Sequence, residues 1–120
     1  MDADASQIIA EKKAARFTYK GEQGYMPMIG HLSKAAVVIH DELREGNIAP
    51  ASRNLEFIQD SQTHLPKGYR IAYIRLDSAG YQANIFNCCK ETSKTFAIGG
   101  RLNEWEILIP FLHSKQIEPI

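Results

Sequence analysis

The sequence lacks an excess of charge of either sign, which argues against a protein that coats nucleic acid. Its 120 residues contain fourteen Lys and Arg residues and fourteen Asp and Glu residues, so the formal net charge is zero. A polycation that binds nucleic acid along its length carries a large positive excess. If the chain contacts DNA, this part of the protein does not supply most of the binding free energy.

Long apolar runs are also missing, as is an N-terminal signal of charged residues followed by apolar ones. A membrane span needs about 20 consecutive apolar residues, so no membrane association is expected. Cysteine is scarce: Cys88 and Cys89 are adjacent, a spacing that suits neither an ordinary structural disulfide nor a zinc knuckle. A reducing, cytoplasmic compartment is therefore predicted.

Internal repeats and low-complexity linkers are absent, and the chain is interpreted as one folding unit. A hydrophobic content of 44% with 23% charged residues is typical of a globular protein with a modest core. The apolar stretch at residues 105–112, which includes Trp105, needs cover from another surface. Together with a very short first strand, this stretch predicts that the chain forms a homo-oligomer.

The pattern of apolar residues predicts the element order strand, hairpin, helix, strand, helix, strand. The first strand is a stub that ends at Asp4, and residues 6–17 are expected to form a loop or a short helix. Pro50 precedes the first helix, because proline is tolerated at an early helical position. The remaining elements are predicted at residues 26–32 and 35–43 (the hairpin), 51–65 (helix), 70–76 (strand), 81–92 (helix) and 94–98 (strand).

This order predicts an α/β fold with a mixed five-stranded sheet and flanking helices. Right-handed crossovers after the hairpin place the first and fourth strands side by side and parallel. That arrangement is the ribonuclease H-like fold. Because neighbouring strands lie about 4.8 Å apart, the C-terminal ends of these two strands bring Asp4 and Asp77 within reach of one metal ion.

Two acids at adjacent strand ends are the principal candidates for a functional site. Ligands of α/β sheets bind at the C-terminal ends of the strands, and paired carboxylates there hold divalent metals for phosphodiester chemistry. A simpler interpretation stays open for Asp77, because an aspartate before Ser78 also caps the helix that follows.

Four short segments of the sequence follow one another in a recognisable order: Asp4-Ala5-Ser6, Tyr19-Lys20-Gly21-Glu22-Gln23-Gly24-Tyr25-Met26-Pro27, Glu42-Leu43-Arg44-Glu45-Gly46-Asn47 and Arg75-Leu76-Asp77-Ser78. In these segments the chain resembles the DDE transposases of bacterial insertion sequences, specifically the IS4-like and IS1380-like group. The resemblance covers residues 1–102, and it implies a bacterial cytoplasmic enzyme that cuts and joins DNA ends with two Mg²⁺ (or Mn²⁺) ions. It also implies that Asp4 and Asp77 are the catalytic, metal-binding acids.

The third acid of that family, a Glu in a Tyr-x-x-Arg-x-x-x-Glu pattern, has no counterpart in this sequence. Glu104, Glu106 and Glu118 are the only late glutamates, and none has the pattern around it. The chain is therefore expected to be a fragment, with an incomplete core at 1–102, a divergent apolar tail at 103–120 and no activity alone. The alternative is a non-catalytic remnant that acts only in self-association or in DNA-end binding.

Four further residues are candidates for DNA contacts: Lys20, Arg44, Asn47 and Arg75. Arg44 and Asn47 fit a structural turn equally well, and Lys20 and Arg75 fit ordinary solvated charges. The four histidines show no metal-ligand spacing and are interpreted as structural or surface groups.

Overall fold

The computed structural model describes residues 1–99 and 116–120. Within them, two helices and a short 3₁₀ turn at Ser78–Gly80 accompany ten strands. The elements are β1 (Asp2–Ala5), β2 (Ile8–Ile9), β3 (Arg16–Phe17), β4 (Gln23–Tyr25), β5 (Met28–Leu32), β6 (Val37–Glu42), α1 (Asn54–Thr63), β7 (Tyr69–Ile71), β8 (Tyr73–Leu76), α2 (Ala83–Glu91), β9 (Thr95–Ile98) and β10 (Ile117–Pro119).

The central sheet is mixed and five-stranded, with the order β6–β5–β1–β8–β9. Strands β5 and β6 form an antiparallel hairpin, and β5 is also antiparallel to β1. Strand β1 is parallel to β8, which is parallel to β9. The predicted α/β sheet, with its first and fourth main strands adjacent and parallel, is confirmed.

Both helices pack on one face of this sheet. Alternation along β1 directs Met1 and Ala3 into the core, and Asp2 and Asp4 to the opposite face. The core joins residues of the central strands to both helices. Its fully buried side chains include Met1, Phe57, Ile71, Ile74, Ile85 and Cys89.

Both helices are shorter than their sequence patterns predict. Helix α1 begins at Asn54 rather than at 51, because Arg53 adopts a left-handed conformation with φ 59°. Helix α2 begins at Ala83 rather than at 81, because the 3₁₀ turn occupies the preceding residues. None of the described helices is long and apolar enough to cross a membrane.

The expectation of a loop or short helix at residues 6–17 is confirmed only in part, because residues 10–15 form a loop whereas two short strands lie on either side of it. These residues contribute β2 and β3 to a small antiparallel sheet with the order β2–β4–β3. The backbones approach closely at Gly24, where a Cβ would lie 2.0 Å from the carbonyl oxygen of Ile8. Strands of two or three residues are too short to show the alternation that identifies a strand in a sequence.

The strand predicted at 70–76 is divided at Ala72. Strand β7 pairs with β10, whereas β8 belongs to the central sheet. The backbone N–H of Ala72 donates to Gln116 and its carbonyl accepts from Thr95, so the chain changes partners at this residue. The predicted boundary at 102, the apolar stretch at 105–112, Glu104 and Glu106 lie outside the described residues.

Candidate functional site

Asp4 and Asp77 come together at the C-terminal ends of two adjacent parallel strands. Asp2 is paired with Arg75 and Ala3 with Leu76, so the next position of β1 lies beside the residue that follows β8. The two carboxyl groups are exposed and lie close enough for each to influence the other. The structure thus juxtaposes the two acids that the sequence singles out.

The contact between the acids changes the chemistry of Asp4. Partial loss of hydration raises the pKa of Asp4, and the charge of Asp77 and hydrogen bonding to its carboxyl group raise it further. The backbone N–H of Ala5 and the nearby His31 act in the opposite direction with smaller effect. Two carboxylates in contact favour either a shared proton or a bound cation, because repulsion between two adjacent negative charges raises the free energy.

Asp77 also caps the turn that follows it. Its Oδ1 accepts a hydrogen bond from the backbone N–H of Ala79 at 3.1 Å, at the start of the Ser78–Gly80 turn. The interpretation of Asp77 as a helix cap therefore accounts for one of its two contacts. The cap fixes the backbone of Asp77 at the strand end, and the carboxyl group still reaches Asp4.

A row of polar side chains, Arg75, Asp2 and His31, crosses three strands beside the acid pair, on the same face of the sheet. Nη2 of Arg75 donates to Oδ2 of Asp2 at 2.5 Å, and Nε2 of His31 lies 3.7 Å from the same oxygen. Asp2 is 6% exposed, and its Oδ1 has no hydrogen-bond partner among the described residues. Arg75 is therefore committed to Asp2 and does not neutralise Asp4 or Asp77.

Arg44 lies inside the fold, with 4% of its surface exposed. Its Nε donates to Glu42 Oε1 at 2.9 Å, and its Nη1 donates to the carbonyl of Ser52 and to Oδ1 of Asn54. Its Nη2 donates to the carbonyl of Arg53. These contacts fit the interpretation of Arg44 as part of a structural turn. A DNA phosphate would have to displace them to reach the guanidinium.

Lys20 and Asn47 are exposed and belong to the surroundings of the small β2–β4–β3 sheet. Lys20 lies in the turn between β3 and β4, with its Nζ 5.7 Å from the ring centroid of Tyr19. Asn47 follows Gly46, whose backbone packs against the carbonyl oxygens of Gly24 and Arg16. Both side chains remain open to solvent, and their contact with DNA stays a prediction.

The structure also brings together His40, Glu42 and Asp60. One possible ligand atom from each lies within 4.8 Å of the other two. The usable signal in the sequence is the spacing: positions 40 and 42 share one face of a strand, and helix α1 supplies Asp60. Spacing within each element cannot show that the two elements meet.

No protein-family model, curated protein or solved structure matches the chain. The geometry of the described residues therefore carries the functional argument.

Proposed function

We propose that this chain is part of the ribonuclease H-like catalytic domain of a DDE transposase, in which Asp4 and Asp77 bind Mg²⁺ or Mn²⁺. The observation that carries the proposal is the contact between two exposed carboxyl groups at the ends of adjacent parallel strands. Among the described residues, no Lys or Arg forms an ion pair with either acid. Two carboxyl groups held together without a basic partner favour binding of a cation.

Asp4 and Asp77 would hold Mg²⁺, which would supply Lewis-acid chemistry for activating a water or a DNA 3′-hydroxyl and for stabilising the leaving oxygen of the phosphodiester. The role of Asp4 and Asp77 is to bind the ion through carboxylate oxygens, which requires that both be deprotonated. Mg²⁺ keeps several of its waters, so two protein carboxylates form a weak site. The capping bond from Ala79 holds Asp77 in place for this purpose.

DNA ends and a second copy of the chain are the proposed partners. A non-catalytic role in DNA-end binding is the second candidate, and the surface of the β2–β4–β3 sheet favours it. Residues 11–22 contain four basic and two acidic side chains, and Phe17 and Tyr19 are 65% and 66% exposed. Exposed aromatic rings beside Lys and Arg suit bases and phosphates of an opened DNA end.

The decisive experiment is a Mn²⁺ titration followed by paramagnetic broadening of backbone amide NMR signals. We expect the amides next to Asp4 and Asp77 to broaden first, at about millimolar Mn²⁺. Asp4→Asn and Asp77→Asn should each weaken this binding at least about tenfold. Asp41→Asn is the matched control, because Asp41 is an exposed acid on the same face, two strands from Asp4.

Broadening that persists in both Asn variants would overturn the metal site at these acids. The second candidate predicts a different result: DNA binding that is retained in Asp4→Asn and Asp77→Asn and that weakens when Lys20 is replaced by Glu.

A further inference from the structure

A second set of metal-ligand side chains lies at the edge of the sheet, away from Asp4 and Asp77. His40 and Glu42 project from the same face of β6, and Asp60 projects from α1, which packs on that face. One ligand atom of each lies within 4.8 Å of the other two. Asp4 lies on the opposite face of the sheet, so the two sets are independent.

His40 has an unused nitrogen at this location. Its Nε2 is buried and has no hydrogen-bond partner among the described residues. A buried polar nitrogen without a partner costs free energy, which a bound cation or proton removes. The ring is held in place by stacking on Phe57, with ring centroids 4.8 Å apart and an interplanar angle of 27°.

A second imidazole, that of His64, lies against the ring of His40 and is a candidate fourth ligand. His64 follows Asp60 by four residues at the end of α1, so the two side chains lie on the same side of the helix. The ring centroid of His64 lies 4.5 Å from that of His40. Two imidazoles and two carboxylates are a donor set that Zn²⁺ accepts in tetrahedral geometry.

Two arginines already contact Glu42. A cation that binds this carboxylate therefore has to compete with their positive charges. The hydrogen bonds from Arg53 and Arg44 both reach Oε1 of Glu42, at 3.3 Å and 2.9 Å. Burial by itself raises the pKa of Glu42, but these two partners outweigh it, so the pKa lies below its usual value. Arg44 is buried in the fold, whereas the side chain of Arg53 is 56% exposed and can move into solvent.

We propose that His40, Glu42 and Asp60 bind one Zn²⁺-class ion, with His64 as the fourth ligand, and that the ion ties the edge strand β6 to α1. Arg53 compensates the charge of Glu42 when the ion is absent and turns outward when it binds. The imidazole ligands favour Zn²⁺, Co²⁺ or Ni²⁺ over Mg²⁺ and Ca²⁺, which take oxygen ligands. Ligand atoms of a zinc site lie about 2.0–2.2 Å from the metal, so the side chains move inward on binding.

Isothermal titration of the whole chain with Zn²⁺ at pH 7 tests the proposal. We expect one Zn²⁺ per chain at this site and a loss of affinity of at least about tenfold in His40→Gln, Asp60→Asn and His64→Gln. Asp41→Asn is the control, since Asp41 lies on the same strand with its side chain on the other face. Arg53→Gly should bind Zn²⁺ several-fold more tightly, because glycine suits the left-handed φ of 59° and removes the competing charge.

A second measurement keeps the test independent of folding defects in the variants. In the wild-type chain, Zn²⁺ should shift the side-chain nitrogen NMR signals of His40 and His64, and excess Mg²⁺ should not reverse the shift. Zn²⁺ binding that is unchanged in His40→Gln and Asp60→Asn would overturn the site, and unchanged binding in His64→Gln would remove His64 from it. Reversal by millimolar Mg²⁺ would identify a nonspecific acidic surface instead.

Discussion

Asp4 illustrates how a single residue gains a distinct property from its neighbour. An exposed aspartate on an isolated strand titrates near 3.9. Here partial loss of hydration, the charge of Asp77 and hydrogen bonding to its carboxyl group raise the pKa of Asp4. The native state therefore holds this proton more tightly than the unfolded state does, and deprotonation of Asp4 at neutral pH opposes folding.

Replacing Asp4 by Asn should therefore stabilise the metal-free protein at pH 7. Because Asp4 is solvent-exposed, screening limits the gain in free energy of unfolding to about 0.5 kcal/mol. The native carboxyl group is already protonated at low pH, so the advantage should fade as pH falls through its raised pKa toward the unfolded value of about 3.9.

Urea denaturation with EDTA present, at several pH values from 3 to 7, measures this difference. Asp41→Asn should show no such pH-dependent gain. An Asp4→Asn variant that is less stable than the wild type at pH 7 would contradict the like-charge interpretation.

Arg44 illustrates the opposite outcome at the residue scale. Its sequence context, between two glutamates and before Gly46, suits either a DNA contact or a turn. The guanidinium is buried and bonded to Glu42, Asn54 and two carbonyl groups, so its donors serve the fold. Burial is a tertiary property, and the local sequence does not report it.

At the element scale, the small β2–β4–β3 sheet depends on close approach of three backbone segments. Strand β4 is paired with both β2 and β3, and an isolated bridge joins Tyr25 to Glu45. An ideal Cβ at Gly46 would lie 2.2 Å from the carbonyl oxygen of Gly24 and 2.4 Å from that of Arg16. Because these contacts are with backbone atoms, they cannot be relieved by rotation of a side chain.

Gly46→Ala should therefore separate the loop from the small sheet. We expect a loss of about 1–3 kcal/mol in the free energy of unfolding, as for other overpacked positions. Circular dichroism during urea denaturation gives the value. The neighbouring exposed residue provides the control, since Asn47→Ala should stay within about 0.5 kcal/mol of the wild type. Equal stability of Gly46→Ala and the wild type would show that the loop packs differently.

At the scale of the whole molecule, the proposed function makes a prediction about catalysis by the isolated chain. The described residues place two acids together, whereas in-line phosphoryl displacement uses two metal ions held in fixed positions. Because the net charge of the chain is zero, its overall electrostatic attraction for a DNA end is weak. A displacement of about 1 Å in the reacting groups costs around a hundredfold in rate.

We therefore expect the isolated chain not to nick supercoiled plasmid DNA in the presence of Mn²⁺. The measurement compares the wild type with Asp77→Ala by gel electrophoresis. Nicking by the wild type that the variant lacks would show that another residue, such as Glu104 or Glu106, or a partner chain supplies a third acid.

The sequence was sufficient to predict the main sheet and its flanking helices, because these elements have strong apolar patterns. The hairpin strands, the strand before Asp77 and both helices were predicted with boundary errors of a few residues. Topology rules then made β1 and β8 neighbours, so the juxtaposition of Asp4 and Asp77 followed without coordinates. The sequence could not reveal β2, β3 and β10, because strands of two or three residues show no periodicity and form only when partners distant in sequence approach.

What the sequence determined by itself was therefore the order of the principal elements and the acids at the strand ends, because both depend on local pattern and chain connectivity. Only the tertiary structure decided which charges are paired. It joined Arg75 to Asp2, buried Arg44 and brought Asp60 to His40. These outcomes depend on side-chain packing between elements far apart in the chain, and packing at such distances leaves no periodic signal in the sequence.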